Sequence, residues 1–154
     1  MRKQLLKGFA MLMAVMAVAM VSAVASANGQ TTATRATIPF EFVVGNQSLP
    51  AGDYRVSAMN SAGDALRIVS GANAKDSALR LTMPANGTSK SAKLVFHRYG
   101  ERYFLAEVWS SAEGGRQLIP SKQERAIQKE NSRIASTKPG SCHCDTIEIV
   151  ATLQ

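Results

Sequence analysis

The densest group of reactive side chains in the sequence is the tripeptide Cys142-His143-Cys144. In an extended segment, residues i and i+2 project to the same side, so both cysteine sulfurs can meet one soft ion such as Cu(I) or Zn(II), and the tripeptide supplies at most three ligands. The sequence has no second cysteine pair to close a structural zinc site. A strained disulfide, or pairing with another chain, competes with metal binding in an oxidising compartment. We therefore expect oxidised cysteines and no bound metal or other cofactor.

Two other titratable residues, His97 and Glu107, lie in a mostly apolar stretch. A catalytic triad needs a nucleophile and an orienting acid around the histidine, and no sequence motif places them. We expect His97 to be a hydrogen-bonded residue of the core or its rim, and Glu107 to lie at the margin of a sheet. None of the 11 acidic residues is singled out as half of a hydrolytic carboxylate pair. The sequence therefore predicts that the protein is not an enzyme.

A basic stripe lies on the one helix that the sequence predicts. Ser121 and Glu124 have the spacing of a capping box, and the pattern predicts a helix over residues 121–135. At 100° per residue, one sector of this helix carries Lys122, Arg125, Lys129 and Arg133. Such a stripe is typical of the solvated face of an amphipathic helix. Its functional interpretation is a weak contact with an anionic surface, such as phospholipid headgroups or envelope polymers.

The N-terminal segment has the three parts of a secretory signal peptide. A short basic region with Arg2, Lys3 and Lys7 precedes an apolar run without charge over residues 8–21. Small residues at Ala25 and Ala27 then fit a cleavage site. The apolar run is shorter than the roughly 20 residues of a membrane span. We expect cleavage after Ala27, export to the periplasm or the medium, and no stable membrane span in the mature protein.

Composition limits what the rest of the chain can be. The full chain has 154 residues, 45% of them hydrophobic, with 18 Lys and Arg against 11 Asp and Glu. These values exclude collagen-like, highly charged disordered and large multidomain proteins. Without residues 1–27 the excess of basic residues is small, and no nucleic-acid-binding motif is present, so we expect no nucleic-acid partner. We expect a flexible lead-in over residues 28–36 and one β-rich domain over residues 37–154.

Alternating apolar residues predict strands with one buried face. Residues 38–44 read as one strand, which Pro39 places at a sheet edge or at a strand start. The same alternation continues at 54–58, 66–68 and 79–83, and a closing strand is expected at 147–153. Short strands separated by turns favour an all-β fold, a small antiparallel sandwich or partly closed barrel of about seven strands with one late helix. An α+β roll is the alternative.

The clearest local element is a hairpin over residues 94–109. Gly100-Glu101 predicts a two-residue type II′ turn. This register places Phe96 opposite Leu105, with Leu94 and Trp109 on their side and Val108 on the other. Because both sides are apolar, we expect a second sheet, a helix or a partner to cover the outer one. The aromatic residues are interpreted as core, or alternatively as the lining of a ligand cavity in a small barrel: Phe96, Tyr99, Tyr103, Phe104 and Trp109.

Three segments together resemble a family of small exported proteins of acidobacteria and similar soil bacteria that carry no assigned function. The segments are Ile38-Pro39-Phe40-Glu41-Phe42, Leu49-Pro50-Ala51-Gly52-Asp53-Tyr54, and 99–105 with Trp109 beyond. The resemblance covers about residues 38–124 and implies export and a β-fold. It supplies no catalytic or ligand-binding residues.

The sequence thus favours an exported, non-catalytic β-domain of the cell envelope or the secreted fraction, which binds or supports an unknown envelope component. Two alternatives stay open. One is a metal-binding or thiol-redox protein that uses Cys142, His143 and Cys144. The other is a small β-barrel that binds a small ligand.

Overall fold

The alternating segments form strands that pair into one mixed sheet. The computed structural model describes residues 33–110, 114–137 and 145–153, all within the compact unit Thr31–Gln154. The first six strands are β1 (Ala33–Ile38), β2 (Phe42–Val44), β3 (Gln47–Leu49), β4 (Gly52–Ala58), β5 (Ala65–Ser70) and β6 (Ser77–Pro84). The other elements are β7 (Lys93–Tyr99), β8 (Arg102–Ser110), β9 (Gly114–Leu118), the helix α1 (Lys122–Thr137), β10 (Asp145–Val150) and β11 (Thr152–Leu153). The predicted all-β class with one late helix is confirmed.

The strands follow the order β10-β7-β8-β9-β6-β5-β4-β1-β11, and β2 joins from the side by pairing with β3 and, in parallel, with β8. Strand β6 changes its partner along its length. Its first part pairs with β5, and its last three residues pair with β9. Only Ala151 separates β10 from β11, and its amide donates to the Ala92 carbonyl. The C-terminal segment therefore pairs with strands at both ends of the path. The described residues form eleven strands rather than about seven, because residues 38–44 and 147–153 each belong to two strands and because β3 and β9 were not predicted.

The core lies on the inner side of this sheet. It is built from large side chains that are less than 2% exposed: Tyr54, Phe42, Phe96, Ile38, Leu49, Ile68, Leu94 and Val44. Phe42 packs edge-to-face with both Tyr54 and Phe96, with ring centroids 5.0 and 5.5 Å apart. Edge-to-face contacts of this kind add to the free energy gained by burying the rings. Of the five aromatic residues interpreted as core, Phe96 belongs to this core and Tyr103 packs against it, whereas Phe104 packs on Tyr99 on the other side of the hairpin.

The predicted single strand over residues 38–44 is wrong, although its buried positions are right. Strand β1 ends at Ile38 and β2 begins at Phe42, and the two have different neighbours. Pro39 has no amide hydrogen and cannot continue the ladder that β1 forms with β4. Ile38, Phe42 and Val44 are nonetheless buried.

The expected lead-in over residues 28–36 is wrong from residue 33 onward. Strand β1 begins at Ala33, and Ala33, Thr34 and Ala36 are buried. This strand is held on both sides, because β1 pairs with β4 along its whole length and with β11 at Thr34 and Arg35. Residues 1–32, which include the expected signal peptide, lie outside the described residues.

The hairpin of β7 and β8 has the predicted turn and the predicted pairs Phe96–Leu105 and His97–Phe104. Gly100 has φ of +65°, and Glu101 has a negative φ, as a type II′ turn requires. A bulge follows, since Val95 pairs with Glu107 and Phe96 with Leu105. The extra residue moves every later side chain of β8 to the other face. Val108 therefore joins the core, and the expected position of Trp109 beside Leu94 is wrong.

The buried hydroxyl of Tyr54 gives the fold a dependence on alkaline pH. It donates to the Pro50 carbonyl at 2.8 Å. Burial, and then the negative charge of Asp76, raise the pKa of Tyr54 above 10.0, while a hydrogen bond with Ser70 acts in the opposite direction. Above about pH 10 the unfolded chain loses this proton before the folded protein does, so the folded state loses stability as the pH rises toward the raised pKa.

We expect Tyr54→Phe to lower the free energy of unfolding at neutral pH by about 0.5–1.5 kcal/mol, because the hydrogen bond to Pro50 is lost. The variant should also lose part of the decline in stability that the parent shows above about pH 10. Urea unfolding over a series of pH values measures both effects. Equal slopes for the parent and the variant in the alkaline range would contradict this assignment.

Candidate functional site

Helix α1 lies against the outer side of the β7–β8 hairpin. It begins as predicted, with the Glu124 amide donating to Ser121 Oγ at 3.0 Å, and ends two residues later than expected. A capping box would turn the Glu124 carboxylate back toward the amide of Ser121. In the structure its Oε1 lies 3.1 Å from His97 Nδ1. One turn further on, Gln128 Nε2 donates to the Tyr99 hydroxyl at 2.8 Å.

The prediction of a hydrogen-bonded histidine at the core rim is therefore confirmed for His97. Its side chain is 26% exposed, and that of Glu124 only 6%. The imidazole–carboxylate pair thus joins the helix to the sheet.

Glu107 is half-buried, and its expected position at the sheet margin is wrong, because it pairs with Val95 of β7 on one side and Gln117 of β9 on the other. Its Oε2 accepts a hydrogen bond from Trp109 Nε1 at 2.7 Å. The Trp109 ring lies close over Gly115 of β9, where a Cβ atom would come within 2.6 Å of the ring. Both contacts orient the indole on the outer face of the sheet, so Glu107 has a structural role.

An open cleft of about 540 Å³ lies beside this helix–hairpin contact. It is formed by the β2–β3 hairpin, the β7–β8 turn with the start of β8, and the first turn of α1. The parallel pairing of β2 with β8, with Phe42 opposite Tyr103, fixes the first two walls relative to each other. The lining residues are Glu41, Val43, Asn46, Ser48, Glu101, Arg102, Tyr103 and Gln123.

The polar groups of the cleft are held by specific contacts. Ser48 Oγ donates to the Glu41 carboxylate. Tyr103 stacks on Phe40 with centroids 4.0 Å apart, and Arg98 Cζ lies 5.7 Å from the Tyr103 ring. These neighbours hold the Tyr103 ring at the cleft wall. The cleft combines carboxylate, hydroxyl, amide and guanidinium groups, and its volume is typical of a small-molecule site.

Sequence reasoning did not identify this cleft. In the sequence, Glu41 belongs to the predicted strand over residues 38–44 and Glu101 to the predicted turn, and neither pattern indicates a binding site. One signal was present, since Glu41 is a lone charged residue in an otherwise apolar stretch. The pairing of β2 with β8 joins residues some 60 positions apart, which no local pattern reports.

The other predicted sites fall into two groups. The stripe on α1 is solvated as expected, since Lys122, Arg125, Lys129 and Arg133 are all exposed. Arg133 Nη1 lies 3.8 Å from Glu130 Oε2 within the same helix. Cys142, His143 and Cys144 lie outside the described residues, and their predicted chemistry stays a prediction. Within residues 33–110, 114–137 and 145–153, no group of three or more His, Cys, Asp or Glu is placed to hold a metal ion.

Among the same residues, no helix has the length and apolar character needed to cross a bilayer. Comparison of the chain with protein-family models, with curated proteins and with solved structures finds no match. We therefore infer the function of the protein from the geometry of the cleft.

Proposed function

We propose that this protein is an exported, non-catalytic domain of the cell envelope or the secreted fraction, and that its cleft binds a glycan. Export is supported by the order of basic, apolar and small residues in the first 27 positions and by the resemblance to small exported proteins. The glycan is the unknown envelope component that the sequence analysis left unspecified.

The observation that carries the proposal is the convergence of three separate elements on one polar cleft. Glu41 and Ser48 come from the β2–β3 hairpin, Glu101 and Arg102 from the β7–β8 turn, and Gln123 from the helix. Strand pairing holds the first two walls, and the Glu124–His97 contact holds the start of the helix against the hairpin. A site on paired strands and a capped helix loses little conformational entropy when a ligand binds.

The chemistry of the lining fits a saccharide that bears hydroxyl and acetamido groups. Carboxylates such as Glu41 accept hydrogen bonds from hydroxyl groups, and side-chain amides such as Asn46 and Gln123 both donate and accept. The guanidinium of Arg102 donates to hydroxyl or carbonyl oxygens. Hydrogen bonds that involve a charged partner are the stronger ones, so Glu41, Glu101 and Arg102 should contribute most to affinity.

A second candidate is glycan hydrolysis, favoured by the presence of two carboxylates, Glu41 and Glu101, at the same cleft. Glycosidases use one carboxylic acid to protonate the leaving group and a second carboxylate as base or nucleophile. The two candidates differ in one observable, which is whether a bound glycan is cleaved.

The experiment uses protein recovered after export of the full chain by a bacterial host, with mass spectrometry to identify its first residue. We expect that residue to be Asn28. Calorimetric titration with an oligomer of N-acetylglucosamine then measures binding. We expect Glu41→Gln to weaken binding by about ten-fold or more, because a hydrogen bond to a charged group is lost. Glu130→Gln, on the exposed side of α1, is the matched control and should bind like the parent.

Incubation of the same oligomer with the protein, followed by an assay for new reducing ends, separates the two candidates. Binding without new ends supports the non-catalytic proposal. Cleavage that is lost in Glu101→Gln would replace it with the hydrolytic one. If neither binding nor cleavage is detected with this oligomer, the glycan proposal fails.

A further inference from the structure

A second surface of the molecule lies on the outer face of β1, β4, β5 and β6. Opposite residues of antiparallel strands share a face, so the register defines which side chains lie together. Arg35 pairs with Arg55, Arg55 with Val69, and Arg67 with Leu79. We call this side of the four strands, opposite to the core residues Val56, Ile68 and Leu66, the outer face.

Three large apolar side chains of β6 are exposed on the outer face. The sequence pattern predicts that Leu79, Leu81 and Met83 point into the core, and this prediction is wrong. They are 61%, 64% and 49% exposed, whereas Ala78 and Thr82 between them are buried. Thr82 fixes this orientation, because its hydroxyl donates to the Gly63 carbonyl and its amide to the Asp64 carbonyl. The exposed stripe therefore follows from the hydrogen bonding of β6.

Arginines adjoin the apolar stripe on the same face. Arg35 and Arg55 lie directly opposite each other on β1 and β4, and both are exposed. Like charges in that position destabilise a sheet. Arg67 adds a third positive charge on β5, next to Leu79. No carboxylate of the described residues lies within ion-pair distance of these three guanidinium groups.

One carboxylate shares the outer face, that of Asp53 at the start of β4. It accepts a hydrogen bond from the Thr37 hydroxyl on the neighbouring strand. The strands thus present three arginines against one aspartate, beside an exposed apolar stripe. This combination of positive charge and exposed apolar side chains on one face is typical of contact with an anionic lipid interface.

We propose that the outer face binds the surface of a bilayer that contains anionic phospholipids. The guanidinium groups of Arg35, Arg55 and Arg67 pair with lipid phosphates, which relieves the repulsion between the first two. Leu79, Leu81 and Met83 enter the zone between the headgroups. This lipid-binding surface is separate from the glycan-binding cleft. It, rather than the basic stripe of α1, is the main lipid contact.

Charge complementarity favours a lipid surface over a second copy of this chain. A symmetric dimer through the outer face would bring three arginines and only one aspartate from each copy into one interface, and this excess of positive charge opposes association. An anionic bilayer meets all three positive charges with negative ones.

The test is flotation of the exported protein with vesicles of phosphatidylcholine alone or of phosphatidylcholine mixed with phosphatidylglycerol. We expect binding to the mixed vesicles, weakening as salt is added, and much less binding to the neutral ones. The double variant Arg35→Gln, Arg55→Gln should lower affinity for mixed vesicles by about five-fold for each charge removed. Its thermal midpoint should not fall, since the repulsive pair is gone.

The matched control is Lys122→Gln, Lys129→Gln, which removes two charges from the stripe of α1. We expect this control to keep most of the parent's affinity. Leu81→Ser tests the apolar part independently and should weaken the binding that persists at high salt.

Equal losses of vesicle affinity in both double variants, or no loss in the arginine variant, would overturn the proposal. A dimer in solution that Leu81→Ser dissociates would replace the lipid surface with a second copy. Glycan titration of the same variants should be unchanged, so the two proposals fail separately.

Discussion

Replacing Phe96 with alanine is expected to lower the free energy of unfolding by about 3–5 kcal/mol. The side chain is fully buried, pairs across the hairpin with Leu105, and meets the rings of Phe40 and Phe42 edge-to-face. Truncation removes the buried ring, leaves a cavity and ends both ring contacts. Urea unfolding of the parent and the variant, followed by the fluorescence of Trp109, measures the difference.

The matched control is Leu81→Ala, which also truncates a large apolar side chain on a strand. Leu81 is 64% exposed, so we expect a change within about 0.5 kcal/mol. A loss well under 1 kcal/mol for Phe96→Ala would mean that the inner face of the hairpin is not part of the core. A large loss for Leu81→Ala would mean that β6 is turned the other way, which would also remove the basis of the lipid-binding proposal.

Glu124→Ala is expected to lower the free energy of unfolding by about 1.5–3 kcal/mol, because a buried hydrogen bond to a charged group is lost. The carboxylate contacts His97 and helps to hold the start of α1 against the hairpin. Its backbone amide still bonds to Ser121, so the helix cap itself stays in place. Chemical unfolding at neutral pH measures the loss.

Glu130→Ala is the control on the same helix. Its carboxylate is exposed and lies 3.8 Å from Arg133, and exposed pairs of this kind contribute little. A double-mutant cycle with His97→Ala should give a coupling energy of at least about 0.5 kcal/mol. Additive effects of Glu124→Ala and His97→Ala would show that the two side chains do not stabilise the fold through each other.

The sequence predicted the elements whose signals are local. The turn at Gly100-Glu101, the pairing of Phe96 with Leu105 and the cap at Ser121 each depend on a few adjacent residues. The wrong predictions concern side chains whose orientation depends on residues that are distant in sequence. The bulge that turns Trp109 outward depends on how β8 pairs with β7, and the reversal of β6 depends on bonds from Thr82 to residues before β5.

The cleft was not predictable for the same reason. Its walls meet through the parallel pairing of β2 with β8 and through the contact of α1 with the hairpin. The arginines of the outer face are visible in the sequence as isolated charges. Only the register shows that Arg35 and Arg55 are neighbours.

The pairing of β1 with β11 has a consequence for the time at which the protein folds. Arg35 and Thr152 are 117 positions apart in sequence and lie opposite each other in the sheet. Contacts of such long range slow folding, because the entropy of closing the chain is lost before the contacts form. Moreover, a chain that is still being synthesised lacks its last strands and cannot complete the sheet path. We therefore expect the sheet to be completed only after synthesis ends, which fits the export through a membrane channel that we propose.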